Sequence, residues 1–171
     1  MELTEAIKKR KSIRVYKNES VPEAVLQRVL EAARLAPSAS NQQRWKFIVV
    51  RDPEKRKLLS IAANGQPHVA GAPVVIAGIA TDINRIMMCG LPTYQIDLAI
   101  AIDHITLAAV NEGLGTCWIG AFSQEQARKV LGVPDSYTIV GLLPLGFPAE
   151  EGRPKNRKSL DEIVCYETFS E

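Results

Sequence analysis

Residues 73–80 read Pro-Val-Val-Ile-Ala-Gly-Ile-Ala, a continuous apolar run rich in β-branched side chains. A strand with one face in water alternates apolar and polar residues. This run does not alternate, so it predicts a strand buried on both faces. Residues 96–112 are apolar nearly all round, which is typical of a helix covered on every side. A chain of 171 residues is long enough for one domain built around such a core.

The rest of the chain supplies both helices and strands. Two predicted helices begin with capping signals, Ser20-x-x-Glu23 and Ser123-x-x-Gln126. We expect Gly113 and Gly115 to end the central helix in left-handed conformations. The two capped helices are predicted to extend from Ser20 to before Pro37 and from Ser123 to Gly132. Two further helices are predicted over residues 2–10 and 53–63. Strands are predicted over residues 46–50, 116–119 and 137–147. This mixture indicates an α+β layered fold.

The charges argue against two broad classes of partner. The chain has 21 basic and 19 acidic residues, so its net charge of +2 provides no general attraction to nucleic acid or to an anionic membrane. The apolar stretch at residues 96–110 contains Asp97, Asp103 and His104 and is too short and polar to span a bilayer. The first residues lack a basic segment followed by an apolar one, so we expect no secretory signal and a cytoplasmic location.

The chain has three cysteines, Cys89, Cys117 and Cys165, which are far apart in the sequence. An odd number at this spacing fits neither a disulfide framework nor a zinc site, so we expect no bound metal and free, mostly buried thiols. Asp97 and Asp103 need partners if the central helix is buried. Capping or pairing between helices explains these carboxylates more simply than catalysis does.

Two clusters of basic residues lie near opposite ends of the chain. Arg10-Lys11-Ser12-Ile13-Arg14 follows the first predicted helix, and Lys155-Asn156-Arg157-Lys158 lies within the last two dozen residues. Guanidinium groups with a serine hydroxyl form a donor set that binds a phosphate or another compact anion. A phosphorylated cofactor is therefore the candidate ligand. The alternatives are surface ion pairs for the first cluster and simple solvation for the second.

A polar segment, Ala36-Pro37-Ser38-Ala39-Ser40-Asn41-Gln42-Gln43, follows the second predicted helix. Proline followed by serine is by itself a common helix stop. Three motifs in order along the chain nevertheless resemble the FMN-dependent nitroreductase family: Arg-x-Ser-x-Arg at residues 10–14, Pro-Ser-x-x-Asn-x-Gln-x-Trp at 37–45, and Gly-Leu-Gly-Thr-Cys-Trp-Ile-Gly at 113–120. The resemblance extends from about Ile7 to Val164, which is nearly the whole chain.

This resemblance implies an α+β fold with a mixed, mainly antiparallel central sheet flanked by helices, in an intertwined homodimer. Residues 1–171 would form a single FMN-binding domain, with residues 148–171 as a C-terminal extension packed on the partner subunit. The implied activity is a ping-pong hydride transfer, in which NAD(P)H reduces FMN and a nitroaromatic, quinone or similar acceptor is then reduced in the same pocket. The alternative is a flavin-binding sensor or carrier protein without physiological turnover.

The resemblance also assigns candidate residues, none of them a dedicated acid, base or nucleophile, because the flavin carries the chemistry. The side chains expected to hold the phosphate are Arg10, Ser12 and Arg157, with Lys155 close by. Those expected at the pyrimidine edge of the ring are Lys11 and Arg14. A fixed positive charge from Arg14 would stabilise the reduced flavin, which gains negative charge at that edge.

The remaining candidates would surround the ring. The segment expected to approach the flavin from the other protomer contributes Pro37, Ser38, Ala39 and Asn41. The residues expected along the ring near N5 are Trp118, Ile119 and Gly120, with Gln66 and Asn64 as weaker candidates at the ring edge. The acceptor pocket would be walled by residues of the 82–95 segment and one aromatic side chain beyond it, namely Met87, Met88, Leu91, Tyr94 and Phe122.

Two features depart from the common family pattern. Arg44 stands where a proline is frequent before the tryptophan, which adds a charge near the expected site. The segment at residues 82–95 is brief where many relatives carry a longer helical lid. A different flavin reaction, such as reductive dehalogenation, would be expected to need that longer lid.

Overall fold

The computed structural model of the chain describes residues 1–170. The helices and strands, in chain order, are α1 (Leu3–Lys9), α2 (Glu23–Arg34), β1 (Trp45–Val50), α3 (Pro53–Ala62), α4 (Pro67–Gly71), β2 (Val74–Ala80), α5 (Thr93–Asn111), β3 (Gly115–Thr116), α6 (Gln124–Leu131) and β4 (Thr138–Gly146). Over these residues, four strands form an antiparallel sheet in the order β1-β2-β4-β3. The predicted α+β fold with an antiparallel central sheet is confirmed.

Strand β2 lies inside the sheet and is buried along its whole length, as its unbroken apolar run predicts. Successive side chains of a strand point to opposite faces. Val75, Ala77 and Ile79 accordingly join a core cluster with α3, α4 and α6, whereas Val74 and Ile76 join a second cluster with α2 and α5. The sheet is therefore the middle of three layers.

Helix α5 packs closely on the sheet at Gly78. A β-carbon at this position would lie 2.8 Å from Cδ1 of Ile102, so a larger residue would require the Ile102 side chain to shift. The helix begins at Thr93, three residues before its predicted start. Within a single chain the helix is not covered on every side, because Ile96 is 39% exposed and Leu107 is half-buried.

Two local predictions were wrong for identifiable reasons. Helix α2 begins at Glu23 with Pro22 as its flanking residue, so Ser20 lies too far upstream to cap it and no side chain caps the helix. Gly113 is left-handed with φ +75° as predicted, but Gly115 belongs to strand β3. There its missing side chain serves packing, since a β-carbon would lie 2.5 Å from Cγ1 of Ile13.

Other features separate what periodicity can predict from what it cannot. Helix α6 has the predicted boundaries, with the Ser123 hydroxyl accepting the N–H of Gln126 at 3.3 Å. Short helix α4 and a 3-10 turn at Ala39–Asn41 were not predicted.

Cys117 is buried, but Cys89 and Cys165 are exposed, contrary to the expectation of mostly buried thiols, because both lie in segments outside the core. No helix within residues 1–170 has both the length and the apolar character that crossing a membrane requires.

Candidate functional site

The segment after α1 is held along the edge of the sheet. The N–H of Ile13 donates to the carbonyl of Thr116 in β3 at 2.9 Å. On the other side, the Glu150 carboxylate accepts the N–H of Arg14 at 2.6 Å and that of Val15 at 3.3 Å. The main chain that carries the first basic cluster is therefore fixed from two directions.

The C-terminal extension returns to this same segment. The N–H of Ala149 donates to the carbonyl of Val15 at 2.9 Å. Gly152 has φ +70°, and a β-carbon there would lie 3.0 Å from Cδ1 of Ile13 and 3.3 Å from the carbonyl oxygen of Ser12. Both the backbone conformation and the tight space favour glycine at the point where the extension turns toward the second basic cluster.

The two basic clusters meet around one cavity of about 210 Å³. Its lining contains residues from both ends of the chain: Arg10, Lys11, Ser12, Arg14, Arg153, Pro154, Lys155, Asn156 and Arg157. This lining contains no carboxylate, and none of its cationic side chains takes part in an ion pair within residues 1–170. The cavity therefore concentrates positive charge that the described chain leaves uncompensated.

Lys155 is affected both by desolvation and by the neighbouring positive charges. Its ammonium group donates to the carbonyls of Ile7 and Lys8, at 2.8 and 2.7 Å, and so ties the extension to the C-terminal end of α1. Desolvation, followed by repulsion from Arg10 and Arg157, lowers the pKa of Lys155. The like charges raise the energy of the cavity, and a bound anion would relieve this repulsion.

Two neutral polar side chains, Cys117 and Tyr16, lie within the electrostatic influence of Arg14. Cys117 is 3% exposed, and burial raises the pKa of its thiol although Arg14 and a hydrogen bond from Ser12 act in the opposite direction. The Tyr16 hydroxyl donates to the carbonyl of Ile13 at 2.7 Å, and burial raises its pKa as well. These groups stay protonated at neutral pH and act as a fixed framework rather than as acids or bases.

Residues 118–121 follow the sheet edge without forming a regular strand. The main chain of Ile119 exchanges two hydrogen bonds with Leu142, at 2.8 and 3.0 Å, so its N–H is committed to the fold. Trp118 is 41% exposed, with its indole over Gly141. The nearest atom to a β-carbon built on Gly120 is Trp118 Nε1 at 3.9 Å, which leaves an open surface.

The two weaker candidates for the ring edge converge on this stretch. The side-chain amides of Gln66 and Asn64 both point to the carbonyl of Ala121, at 3.2 and 3.5 Å respectively. Phe122, which follows, is half-buried and packs against the core cluster shared with α3 and α6. The structure thus brings Gln66 and Asn64 next to the 118–120 stretch.

The predicted segment from Pro37 to Asn41 lies in a different part of the chain's surface, where its hydrogen bonds do not go to the cationic cavity. The N–H of Ala39 donates to the Asp97 carboxylate of α5 at 3.0 Å. Arg85 donates to the Ser40 hydroxyl at 2.9 Å. Asp97 therefore has a structural partner, in agreement with the interpretation of this carboxylate as a pairing group between elements.

Residues 82–92 form a short hairpin beside that turn. The N–H of Met87 donates to the carbonyl of Leu91 at 2.9 Å, and Gly90 at the tip has φ +87°. At the base, Arg44 forms an ion pair with Asp82. The apolar side chains at the tip are largely exposed: Ile86, Met88 and Leu91. Tyr94 follows on the first turn of α5, half-buried, with its hydroxyl accepting from Gln95 at 3.2 Å.

Comparison with known proteins settles the family. The family model described as the nitroreductase family matches residues 7–147. The chain belongs to the nitroreductase family. An NADH dehydrogenase of Thermus thermophilus is similar to this chain, with 33% identity over 92% of each chain. An FMN reductase [NAD(P)H] of Bacillus subtilis is 31% identical over 98% of this chain and 74% of the relative.

A solved structure extends the similarity to the fold of this chain. An FMN-dependent nitroreductase from Clostridium difficile has a TM-score of 0.84 and 34% identity, with 96% of this chain and 98% of the other chain covered. The expectation from the three sequence motifs, that the chain is a member of this family, is confirmed.

Sequence reasoning missed several residues of the nitroreductase that the geometry brings forward. Arg153 and Asn156 line the cationic cavity; Asn156 lies within the second basic cluster but had no predicted role, and Arg153 lies two residues before that cluster. Glu150 holds the Arg14 main chain, and Arg85 holds the 39–41 turn. Neither of those two contacts leaves a local pattern in the sequence, since their partners are 136 and 45 residues away.

Proposed function

We propose that this FMN-dependent NAD(P)H oxidoreductase reduces nitroaromatic, quinone or similar acceptors by a ping-pong hydride transfer. The observation that carries the proposal is the cationic cavity in which residues from the two ends of the chain meet without a carboxylate in the lining. A cavity of this kind fits a phosphate dianion, because each anion oxygen can accept charge-assisted hydrogen bonds from guanidinium, ammonium and hydroxyl groups.

The residues present fit the requirements of FMN. Arg10, Ser12 and Arg157 would hold the phosphate, with Lys155 keeping the extension in place beside them. Bound FMN would supply the hydride chemistry between NAD(P)H and the acceptor. The protein's own task is then to bind the cofactor, to orient it and to leave one face open to substrates.

Charge at the pyrimidine edge is the second contribution of the chain. Lys11 and Arg14 line the cavity and would extend toward that edge. A fixed positive charge from Arg14 favours whichever form of the cofactor carries negative charge there, so it assists reduction without transferring a proton. The open surface at Gly120, beside Trp118, would lie along the ring and leave room for it.

A homodimer completes the proposed site. The turn carrying Pro37, Ser38, Ala39 and Asn41 would reach the flavin of the partner subunit. An apolar groove of about 520 Å³ between α1, α2 and α5 supports this assembly, as do the exposed apolar residues of the extension, with Leu160 at 70% and Phe169 at 84% exposure. Surfaces of this kind usually mark an interface. In this proposal residues 1–171 are one domain, the part of the 148–171 extension beyond Arg157 wraps the partner, because residues 149–157 pack on their own chain, and the dimer is cytoplasmic.

An anaerobic titration tests the proposal. We expect purified protein to bind FMN, to lose flavin absorbance when NADH or NADPH is added, and to regain it with a nitroaromatic or quinone. Initial rates at several concentrations of both substrates should give parallel double-reciprocal lines, and sedimentation velocity should show a dimer. Protein that does not take up FMN would contradict the proposal. Bound flavin that neither nicotinamide bleaches would instead support the sensor or carrier alternative.

A further inference from the structure

The turn at Ala39–Asn41 has a strained main chain. Ser40 and Asn41 have φ values of +52° and +53°, and Gln43 nearby has φ +50°. Residues with a β-carbon adopt this left-handed region reluctantly, at a cost of about 1 kcal/mol or more each. Such strain persists only where the surrounding structure holds the backbone in place. The turn therefore requires an external support.

Three groups outside its main chain provide that support. The Ser38 hydroxyl accepts the N–H of Gln43 at 3.0 Å, and the Asp97 carboxylate accepts the N–H of Ala39 at 3.0 Å. The guanidinium of Arg85 donates to the Ser40 hydroxyl at 2.9 Å and to the carbonyl of Ala39 at 3.4 Å. Of these groups, only Arg85 contacts the turn from the 82–92 hairpin.

Arg85 is itself firmly placed. Its carbonyl accepts the N–H of Thr93 at 3.0 Å and the Thr93 hydroxyl at 3.3 Å, and Thr93 is the buried first residue of α5. The side chain of the same residue then crosses to the turn. Turn, hairpin and the start of α5 are thus joined through one arginine, whose guanidinium can reach two acceptors at once.

We propose that Arg85 is a positioning residue that holds the Ala39–Asn41 turn in its left-handed conformation and links it to the 82–92 hairpin. The consequence for catalysis rests on the proposed function, in which the turn contacts flavin and the hairpin forms a wall of the acceptor pocket. Arg85 then joins the cofactor-binding segment to the acceptor-binding segment. Its loss should weaken FMN binding and raise the acceptor KM, with a smaller effect on kcat.

Three variants separate positioning from general stability. Arg85→Met keeps most of the side-chain length but removes both hydrogen bonds to the turn. Arg44→Met is the matched control, because it removes an arginine bonded to Asp82 at the base of the same hairpin without touching the turn. Arg85→Met combined with Ser40→Gly is a rescue, since glycine adopts a positive φ without steric cost.

The first measurement does not depend on flavin. Amide hydrogen exchange over residues 39–43 of the full-length protein, purified without cofactor, should be about five- to tenfold faster in Arg85→Met than in the wild type. Arg44→Met should keep the wild-type rates, and the double variant should recover part of the protection. Unchanged exchange in Arg85→Met, or equal acceleration in Arg44→Met, would overturn the positioning role.

The second measurement uses protein loaded with FMN. We expect Arg85→Met to raise the FMN dissociation constant and the acceptor KM by about three- to tenfold, with kcat within about twofold of the wild type and partial rescue by Ser40→Gly. A uniform fall in kcat with unchanged KM would overturn the link to the acceptor pocket. If wild-type protein binds no flavin while the exchange result holds, the proposed function fails and the positioning role of Arg85 stands.

Discussion

The cationic cavity and the Ala39–Asn41 turn differ in how their energetic costs are met. The cavity gathers cationic side chains from both ends of the chain, and desolvation together with repulsion from Arg10 and Arg157 lowers the pKa of Lys155. The turn is strained in its main chain, but Asp97, Arg85 and Ser38 provide hydrogen-bond partners from the protein itself. The cost in the cavity is electrostatic and an anionic ligand would relieve it, whereas the cost in the turn is conformational and the fold already offsets it.

The contrast suggests a division of labour within the proposed site. A region that the protein satisfies by itself keeps its shape before any ligand arrives, which favours specific contacts with the cofactor and its partners. A region that needs a ligand couples binding to stability, because an anion that binds only the folded state stabilises it. The two regions should therefore respond differently to mutation, salt and pH.

Removing a cation from the cavity should have the largest effect on flavin binding. Arg157→Ala should weaken FMN binding by about 1.5 to 3 kcal/mol, the usual value of a hydrogen bond to a charged group. Titration of cofactor-free protein with FMN, followed by flavin fluorescence, gives the two dissociation constants. Lys158→Ala is the matched control, because Lys158 is the next residue of the basic run but does not line the cavity.

The comparison of these two variants can contradict the cavity assignment. Equal FMN affinity in Arg157→Ala and Lys158→Ala would remove Arg157 from the phosphate site. A loss in Arg157→Ala that shrinks as salt is raised would support a charge-assisted contact, since salt screens exposed charges.

Distorting the approach of the C-terminal extension should have the next largest effect. Gly152→Ala should destabilise the fold by about 1 to 3 kcal/mol, because the new methyl group meets Ile13 and the φ of +70° is unfavourable for alanine. Gly132→Ala is the control, since Gly132 has φ +66° with open space around it. Urea unfolding measures the stability of both variants.

The two alanine variants also distinguish the effect of backbone strain from the effect of displacing the C-terminal extension. Only Gly152→Ala should weaken FMN binding, because only there does the new methyl group disturb the path of residues 153–157 to the cavity. A matching loss of FMN affinity in Gly132→Ala would contradict this explanation and indicate a general effect of lower stability.

The layered core was predictable because burial leaves a local pattern. Strand β2 shows this pattern in seven consecutive buried residues. Helix ends leave a local pattern of their own, as the capping serine and the terminal glycine of α6 show. Gly115 shows the limit of such signals, because a glycine can mark close packing as well as a positive φ, and its partner Ile13 is remote in the sequence. Composition also does not tell which apolar residues of α5 are covered by the same chain and which, such as Leu107, line its surface groove.

The candidate site was predictable to the extent that its residues carry motifs. The meeting of the two basic clusters was expected from the family resemblance, and the structure places them around one cavity, while their roles toward flavin stay predictions. The support of the turn by Arg85 and Asp97 was not predictable, because hydrogen bonds between distant elements follow from tertiary packing and leave no periodic signal.

Breaking the support of the turn should have a smaller effect on stability. Asp97→Ala leaves the N–H of Ala39 without its acceptor and should cost about 1 kcal/mol in the free energy of unfolding. Asp103→Ala on the same helix is the control, because its partner, the Thr106 hydroxyl, also donates to the Asp103 main-chain carbonyl at 2.9 Å. Urea unfolding at low and high salt is the measurement.

The salt series tests the contrast between the two regions. The stability loss in Asp97→Ala should be nearly the same at both salt concentrations, whereas the FMN loss in Arg157→Ala should be salt-dependent. Equal costs for Asp97→Ala and Asp103→Ala would show that the contact with Ala39 contributes little to holding the turn.

The smallest expected effect is a pH dependence of stability from His68, a side chain of helix α4. Its side chain is buried, its Nε2 has no hydrogen-bond partner within residues 1–170, and burial and Arg14 lower its pKa, with Glu150 acting weakly in the opposite direction. The unfolded chain therefore binds this proton more readily than the folded one. The contribution of His68 to stability is full above its ordinary pKa of about 6.5 and is lost as the pH falls below that value.

Replacing His68 should remove this part of the pH dependence. The free energy of unfolding of the wild type should fall between pH 7.5 and about 5.5, and that of His68→Gln should fall less over the same interval. The other histidine, His104, is present in both proteins and cancels in the comparison. Identical slopes would show that burial and Arg14 do not lower the pKa of His68 in the folded protein.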